Sequence, residues 1–407
     1  MTPESQVSAE AGQSAARSFG RKLVMLAFVA GFSFVAALLA AEVFLRLFVP
    51  VTDVAFQFWD PVVGLRRFPN QNGRNLAGNY VKGAYRFNSA GWNYPREFEV
   101  ARPPGTLRIV LIGDSYVEAM QVPCEKQMAV ATEEALIRAG RPAQCYPMGC
   151  SGLGTAQEYQ ILRHYALDYK PDVVLFFFTQ NDVYDCSPYL RPIEAAIPAY
   201  ALGPSGDLEF MPATGWQPSL ARRLSAKTAL ARYFLIQKRL LQAGAPRGPA
   251  GVTLRESSGA GKSPRFRGGD LSEADRGKKS WELIEALLAA SKAECERNGA
   301  LFGVVFRGSV PEIDSVTGRT PYEPPAREKD PYCMRERIHE MGRDFVGPIC
   351  EKLGIPYLDL TDALKAKVSQ TGLPHDFPDD DHYNESAHAA AGDAIAKWVS
   401  TLRGAAH

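Results

Sequence analysis

The apolar and polar positions of this chain fall into two regimes. Between Leu23 and Ala41 no charged side chain occurs. At about 1.5 Å per residue, that run nearly spans a hydrocarbon core of about 30 Å. Apolar character resumes after Glu42 with Val43, Phe44 and Leu45, and Arg46 interrupts it before Phe48 and Pro50. A slightly longer, tilted helix accommodates this, with Glu42 and Arg46 near the far interface. Arg17, Arg21 and Lys22 precede the run, so the positive-inside bias keeps the N-terminus cytoplasmic and exports the chain beyond residue 50. The competing reading is a cleaved signal peptide, but its apolar stretch is usually shorter and no clear A-x-A site comes after this one.

From Leu107 the pattern changes to short apolar runs alternating with helical periodicity. Strands are expected at Leu107–Ile112, Ala143–Tyr146, Asp172–Phe178, Ala300–Phe306 and Pro356–Leu360. Helices are expected at 127–139, 155–169, 281–297, 334–353 and 385–402. The run Val173–Phe178 is continuously apolar, as in a central parallel strand covered on both faces. Alternating strands and helices imply an α/β fold with a mostly parallel sheet, helices on both faces and right-handed crossovers.

The rest divides accordingly. Residues 1–22 form a cytoplasmic tail whose first 16 residues are small, polar and expected to be disordered. Residues 23–48 are the transmembrane anchor. Residues 49–104 are a juxtamembrane region of irregular strands and turns packed on the α/β domain at 105–403. An insertion at about 186–280 breaks the alternation, and Gln242–Lys279, dense in Gly, Pro, Ser, Arg and Lys, reads as a surface excursion.

Composition narrows the function. The 46 basic and 45 acidic residues nearly cancel, which gives no basic face for nucleic acid. The seven cysteines (124, 145, 150, 186, 295, 333 and 350) include no CxxC pair, so zinc-ribbon and thiol-redox readings fail. Disulfides are compatible with an exported domain, but an odd count leaves at least one thiol over.

Four segments carry the chemistry: Gly113-Asp114-Ser115, Gly149-Cys150-Ser151-Gly152, Asn181-Asp182 and the run Asp379-Asp380-Asp381-His382. The first three come directly after expected strands, on the carboxyl edge where open α/β sheets bind their ligands. Together they supply a hydroxyl nucleophile, oxyanion donors and a base with a carboxylate, the inventory of an acyl-transfer site. Ser115 would attack an ester carbonyl once His382 takes its proton. The backbone N–H groups of Ser115 and Gly152 and the Asn181 amide would receive the oxyanion. Asp379, Asp380 and Asp381 compete to orient His382. As plain structure, Gly152 serves as a turn glycine and Asn181-Asp182 as an Asx turn. The acidic run with His382 also offers cation-ligand types, but no cysteine or second histidine stands at ligand spacing, and no metal or cofactor is assigned. Tyr116, Glu118 and Gln157 are candidates to line the pocket, while His164, His339 and His388 sit in helical patterns as surface or packing residues.

On these residues the chain resembles the SGNH (GDSL-type) hydrolase superfamily over about residues 105–403. The first block is Gly113-Asp114-Ser115-Tyr116, with Tyr in place of the eponymous Leu. The second matches G-x-x-G at Gly149 and Gly152, with Pro147 where an upstream Asn is usual. The third, usually G-x-N-D, reads Thr179-Gln180-Asn181-Asp182. The last, D-x-x-H, runs from Asp379 to His382. The resemblance implies a three-layer, flavodoxin-like α/β/α fold and favours Asp379 as the residue orienting His382. Asp114, Asp182 and Asp380 are candidate supporting residues. It also implies a serine esterase that acts, from the inner membrane, on acetylated cell-envelope carbohydrate or another small ester in the periplasm or outside the cell. An O-acyltransferase using the same site and a non-catalytic envelope scaffold are the alternatives.

Overall fold

Five short apolar runs become the parallel strands of one sheet: β1 (Leu107–Gly113), β2 (Ala143–Gly149), β3 (Val173–Phe178), β4 (Leu301–Phe306) and β5 (Tyr357–Asp359). Their spatial order is β5-β4-β3-β1-β2, with every neighbouring pair parallel. Read from the other edge this is the doubly wound order 2-1-3-4-5, with its switch point between β1 and β3. The computed structural model describes residues 3–179, 181–193, 196–213, 215, 227–238, 266–318, 342–378 and 380–404.

β1 and β3 are buried at every position, because helices cover both faces. Alternate side chains therefore feed two cores. Val110, Ile112, Val174 and Phe176 point into one, with Ile161, Leu283 and Leu287 from the Thr155–Ile161 and Glu273–Arg297 helices. Ile109, Leu111, Leu175 and Phe177 point into the other, with Met128 and Leu136 of the Met128–Arg138 helix and Ile395 and Val399 of the Glu385–Gly404 helix. The result is the expected three-layer α/β/α arrangement.

The stretch that follows the N-terminal helix forms two antiparallel hairpins, Gln57–Asp60 with Gly64–Arg67 and Gln71–Ala77 with Val81–Phe87. Val81–Phe87 alternates strictly between buried and exposed positions, the mark of a strand with one face on the protein and one in solvent.

Several expectations need correction. Of the tail expected to be disordered over residues 1–16, residues 3–16 are instead part of a helix that runs from Pro3 to Phe48. Its Ala, Glu and Gln residues are good helix formers, and they extend a helix that the apolar run has already nucleated. The helix expected from Trp281 begins at Glu273, where Ser272 Oγ accepts the Asp275 N–H at 3.2 Å. Its polar first turns carry no apolar period to betray them. The hairpin Ala199–Leu202/Leu208–Met211 and the helix Thr361–Thr371 are additional elements. Residues 239–265, most of the expected excursion, lie outside the described residues, as do His339 and Cys333. The six described cysteines are buried and unbridged.

Candidate active site

Three of the four chemical segments leave the carboxyl ends of β1, β2 and β3, so the topology gathers them at one edge. Ser115 opens a one-turn helix, Ser115–Glu118, directly after β1, and the Asp114 carboxylate caps it by accepting the Tyr116 N–H at 2.9 Å. Gly149 closes β2, where an added Cβ would lie 2.2 Å from the Glu118 nitrogen and 2.5 Å from the Val117 carbonyl carbon. Only glycine lets this strand end and the Ser115 helix approach so closely. Gly152 has φ +80°, a left-handed turn conformation that glycine adopts freely.

His382 arrives from a different kind of element. The strand Asp380–Tyr383 pairs antiparallel with Asp376–Phe377 outside the main sheet. From there the imidazole reaches back to Ser115, with Nε2 2.7 Å from Oγ, and its Nδ1 lies 2.5 Å from Asp380 Oδ1. The Asp381 carboxylate is more distant, at 3.5 Å. Asp379, the expected orienting residue, lies outside the described residues; the contact belongs to Asp380. The reason is parity. In a strand, residues i and i+2 share a face, whereas the D-x-x-H spacing suits a helical turn. With Nδ1 on Asp380 and Nε2 on Ser115, both ring nitrogens are hydrogen-bonded.

The ring is buried. Burial pulls its pKa down, but the charge and hydrogen bond of Asp380, then Asp381 and Asp114, outweigh it and hold the imidazole up at about 9. Tyr116 packs its ring 5.0 Å from the imidazole and donates its hydroxyl to the Asp381 carbonyl at 2.6 Å. The Arg307 guanidinium lies over the same ring, 4.7 Å from its centre. His388 is a packing residue. It is buried, accepts the Met128 N–H at 3.2 Å, and is pushed down to about 3 by burial and by His382. His164 is exposed.

The third segment is held in a network of carboxylates. Thr179, where the pattern has Gly, places its hydroxyl 3.1 Å from Asp114 Oδ2, 2.8 Å from Asn181 Oδ1 and 3.1 Å from Asp182 Oδ1. Asn181 Nδ2 donates to Asp114 at 3.1 Å and to Asp185 at 3.0 Å. Both amide hydrogens are thus committed to carboxylates, and an oxyanion would have to draw one away. Burial raises Asp114, partly offset by the Tyr116 N–H and the Asn181 amide, and raises Asp182 and Glu158 well above the usual carboxylate range, with their neighbours' negative charge adding to it. A protonated Asp114 would loosen its hold on the amide.

Arg67 had no sequence signal. From the Gln57–Asp60/Gly64–Arg67 hairpin it donates to both oxygens of the buried Glu118, at 2.6 and 3.2 Å. Glu118 in turn accepts the Ser151 N–H at 3.0 Å and its hydroxyl. Burial raises the Glu118 pKa, but Arg67 and Ser151 bring it below its ordinary value. Glu118 is therefore a brace for the loop that carries Gly152. Gln157 also braces: it accepts the Gly154 N–H at 2.9 Å and donates to the Pro198 carbonyl at 2.5 Å.

No protein-family model and no curated protein matches the sequence. Solved structures that align with it include TesA (11% identity, TM-score 0.37, covering 72% of this chain and 99% of that one). Another is the acetyl xylan esterase AlAXEase, at 12% identity and TM-score 0.37 over 73% of this chain and 99% of that one. A catalytic mutant of the acetylxylan esterase Axe2 from Geobacillus stearothermophilus aligns at 13% identity and TM-score 0.36, over 72% and 94%. At such overlap the chemistry rests on this chain's own geometry.

Two outcomes are expected. Asp380→Asn lowers kcat for a model acetyl ester by orders of magnitude, up to about 10⁴-fold, through the wrong imidazole tautomer and loss of charge stabilisation. Asp379→Asn costs far less, because the single Nδ1 hydrogen is already taken. The reverse ranking in steady-state kinetics would reassign the orienting carboxylate. Second, only the neutral imidazole can accept the Ser115 proton, so kcat/KM should rise with pH and level off above about 9. In Asp380→Asn that inflection moves to lower pH. An activity plateau already complete near pH 7 would contradict the charge environment described.

Proposed function

We propose that this chain is a serine hydrolase of carboxylic esters, a membrane-anchored member of the SGNH superfamily. The observation that carries the reading is the buried relay Ser115 Oγ–His382 Nε2 at 2.7 Å and His382 Nδ1–Asp380 Oδ1 at 2.5 Å. Ser115 and His382 come from sequence positions 267 residues apart, and the four-block pattern supports the same assignment. A chance hydrogen bond between serine and histidine would not come with a carboxylate on the second ring nitrogen.

In the reaction, His382 takes the Ser115 proton as Oγ attacks the ester carbonyl. Asp380 stabilises the imidazolium that forms. The Ser115 and Gly152 N–H groups, with the Asn181 amide once it turns from a carboxylate, receive the oxyanion. His382 then returns the proton to the leaving alcohol, and water repeats the sequence on the acyl-enzyme. The substrate class that fits an exported, anchored enzyme of this kind is an acetyl ester on cell-envelope carbohydrate. The Phe19–Phe48 stretch is the one described helix long and apolar enough to cross a membrane, and its most apolar stretch is not buried against the protein. Together with Arg17, Arg21 and Lys22, it supports an inner-membrane anchor with a cytoplasmic N-terminus.

Ser115→Ala should abolish both fluorophosphonate labelling and hydrolysis of acetylated sugars while leaving thermal unfolding unchanged. Undiminished turnover in that variant would remove the serine-esterase reading. Asn181→Ala should lower kcat about 10²–10³-fold, the usual cost of one oxyanion donor. A loss below about tenfold would mean that the amide stays on Asp114 and Asp185 throughout.

A further inference from the structure

Glu42 is the one acidic residue between Phe19 and Phe48, and an ionised group at such a position needs partners. It has them. Arg46 Nε donates to its Oε1 at 2.7 Å, one turn further along the helix. The backbone N–H groups of Ala229 and Leu230, from 187 and 188 residues away, donate to its two oxygens at 2.7 and 2.9 Å. Arg46 also donates to the Lys227 carbonyl at 3.0 Å. Beside this polar clasp, Leu45, Val51 and Ala229 are buried together, with Val49, Leu230 and Tyr233 packed on them. Gln237 completes the joint. Its side-chain amide donates to the Pro50 carbonyl at 3.2 Å and accepts the Thr52 N–H at 3.0 Å, and its backbone carbonyl accepts the Gly78 N–H at 3.0 Å. The segment 227–238 and the hairpin turn at Gly78–Tyr80 are thereby fixed to the end of the membrane helix.

The level of that joint is set by length. Phe19–Phe48 has 30 residues, about 45 Å at 1.5 Å each, against about 40–45 Å for a bilayer with its headgroups. Its domain-side end therefore stands among headgroups. Phe44, Leu47 and Phe48 on its last turns remain 55%, 68% and 71% exposed, so the protein does not cover them. Phe234 and Tyr80, at the same joint, are also exposed, and exposed Lys227 and Lys238 bracket the segment. Aromatic rings flanked by lysines suit the interface of an anionic leaflet.

We propose that residues 227–238 and the Gly78–Tyr80 turn form a foot that docks on the bilayer surface. Phe234 and Tyr80 sit at headgroup level, and Lys227 and Lys238 face anionic phospholipid phosphates. The inference rests on the reading that Phe19–Phe48 crosses the membrane. The foot holds the catalytic domain at a fixed height and tilt instead of leaving it on a loose tether.

The test uses the full chain in nanodiscs of phosphatidylethanolamine and phosphatidylglycerol. A photoreactive benzoylphenylalanine replaces Leu38, Phe234, Tyr80 or Ile137, one at a time, and lipid adducts are quantified by mass spectrometry. Positions 234 and 80 should give several times the adduct seen at exposed Ile137, approaching the level at Leu38 within the span. Adducts at Leu38 but only background at 234 and 80 would overturn the foot and leave the anchor standing. Absence of adduct at Leu38 would remove the anchor reading, and the foot with it. Adding Glu42→Ala should cut the adduct at 234 several-fold without changing that at 38. No change at 234 would overturn the clasp.

Discussion

Desolvation of acidic groups along one edge of a parallel sheet sets the terms for the rest of this molecule. Asp114, Glu118, Glu158 and Asp182 are all buried there, and His382 brings Asp380 to the same edge. A buried carboxylate either finds a counter-charge and hydrogen bonds or keeps its proton. Both solutions occur within one site. Glu118 is ionised through Arg67, Asp380 faces the imidazole, and burial holds Asp182 and Glu158 toward the neutral form. Groups of the same chemistry are thus sorted into different protonation states by their neighbours, and the loops that carry Ser115, Gly152 and Asn181 are fixed by that sorting.

The sheet makes this possible because its central strands are almost wholly apolar. β1 and β3 spend nearly every side chain on one of two cores, so little that is polar competes inside the sheet. The reactive polar groups appear only where each strand ends. The chemistry is then separated from the packing by position alone, and the same loop ends can hold strained or charged arrangements without loosening the fold.

Much of this was legible in the sequence. Runs such as Val173–Phe178 announce buried strands, and Ser115, Gly152, Asn181 and His382 stand out by residue type and order. What escaped was decided by partners distant in sequence or by local conformation. The orienting carboxylate turned on Asp380–Tyr383 being extended, because strand parity favours Asp380 while turn spacing favours Asp379. The state of the Asn181 amide depended on Asp185 and on Thr179, whose hydroxyl no family pattern anticipates. Arg67 carried no signal, since an arginine in an irregular aromatic stretch looks like any solvated charge. Glu42 stood out as an oddity within an apolar run, yet its partners at Ala229 and Leu230 lie far beyond the reach of local pattern.

The bidentate contact between Arg67 and Glu118 ties two stretches that the sequence separates into juxtamembrane region and hydrolase domain. Loss of Arg67 alone would leave a buried charge uncompensated on the helix that begins at Ser115, at a cost of about 3–5 kcal/mol. Loss of both charges together can be nearly neutral. Substitutions at the two positions are therefore strongly non-additive. The Gly64–Arg67 strand and the loop that carries Gly152 therefore behave energetically as one unit, and neither can be exchanged at this contact without the other.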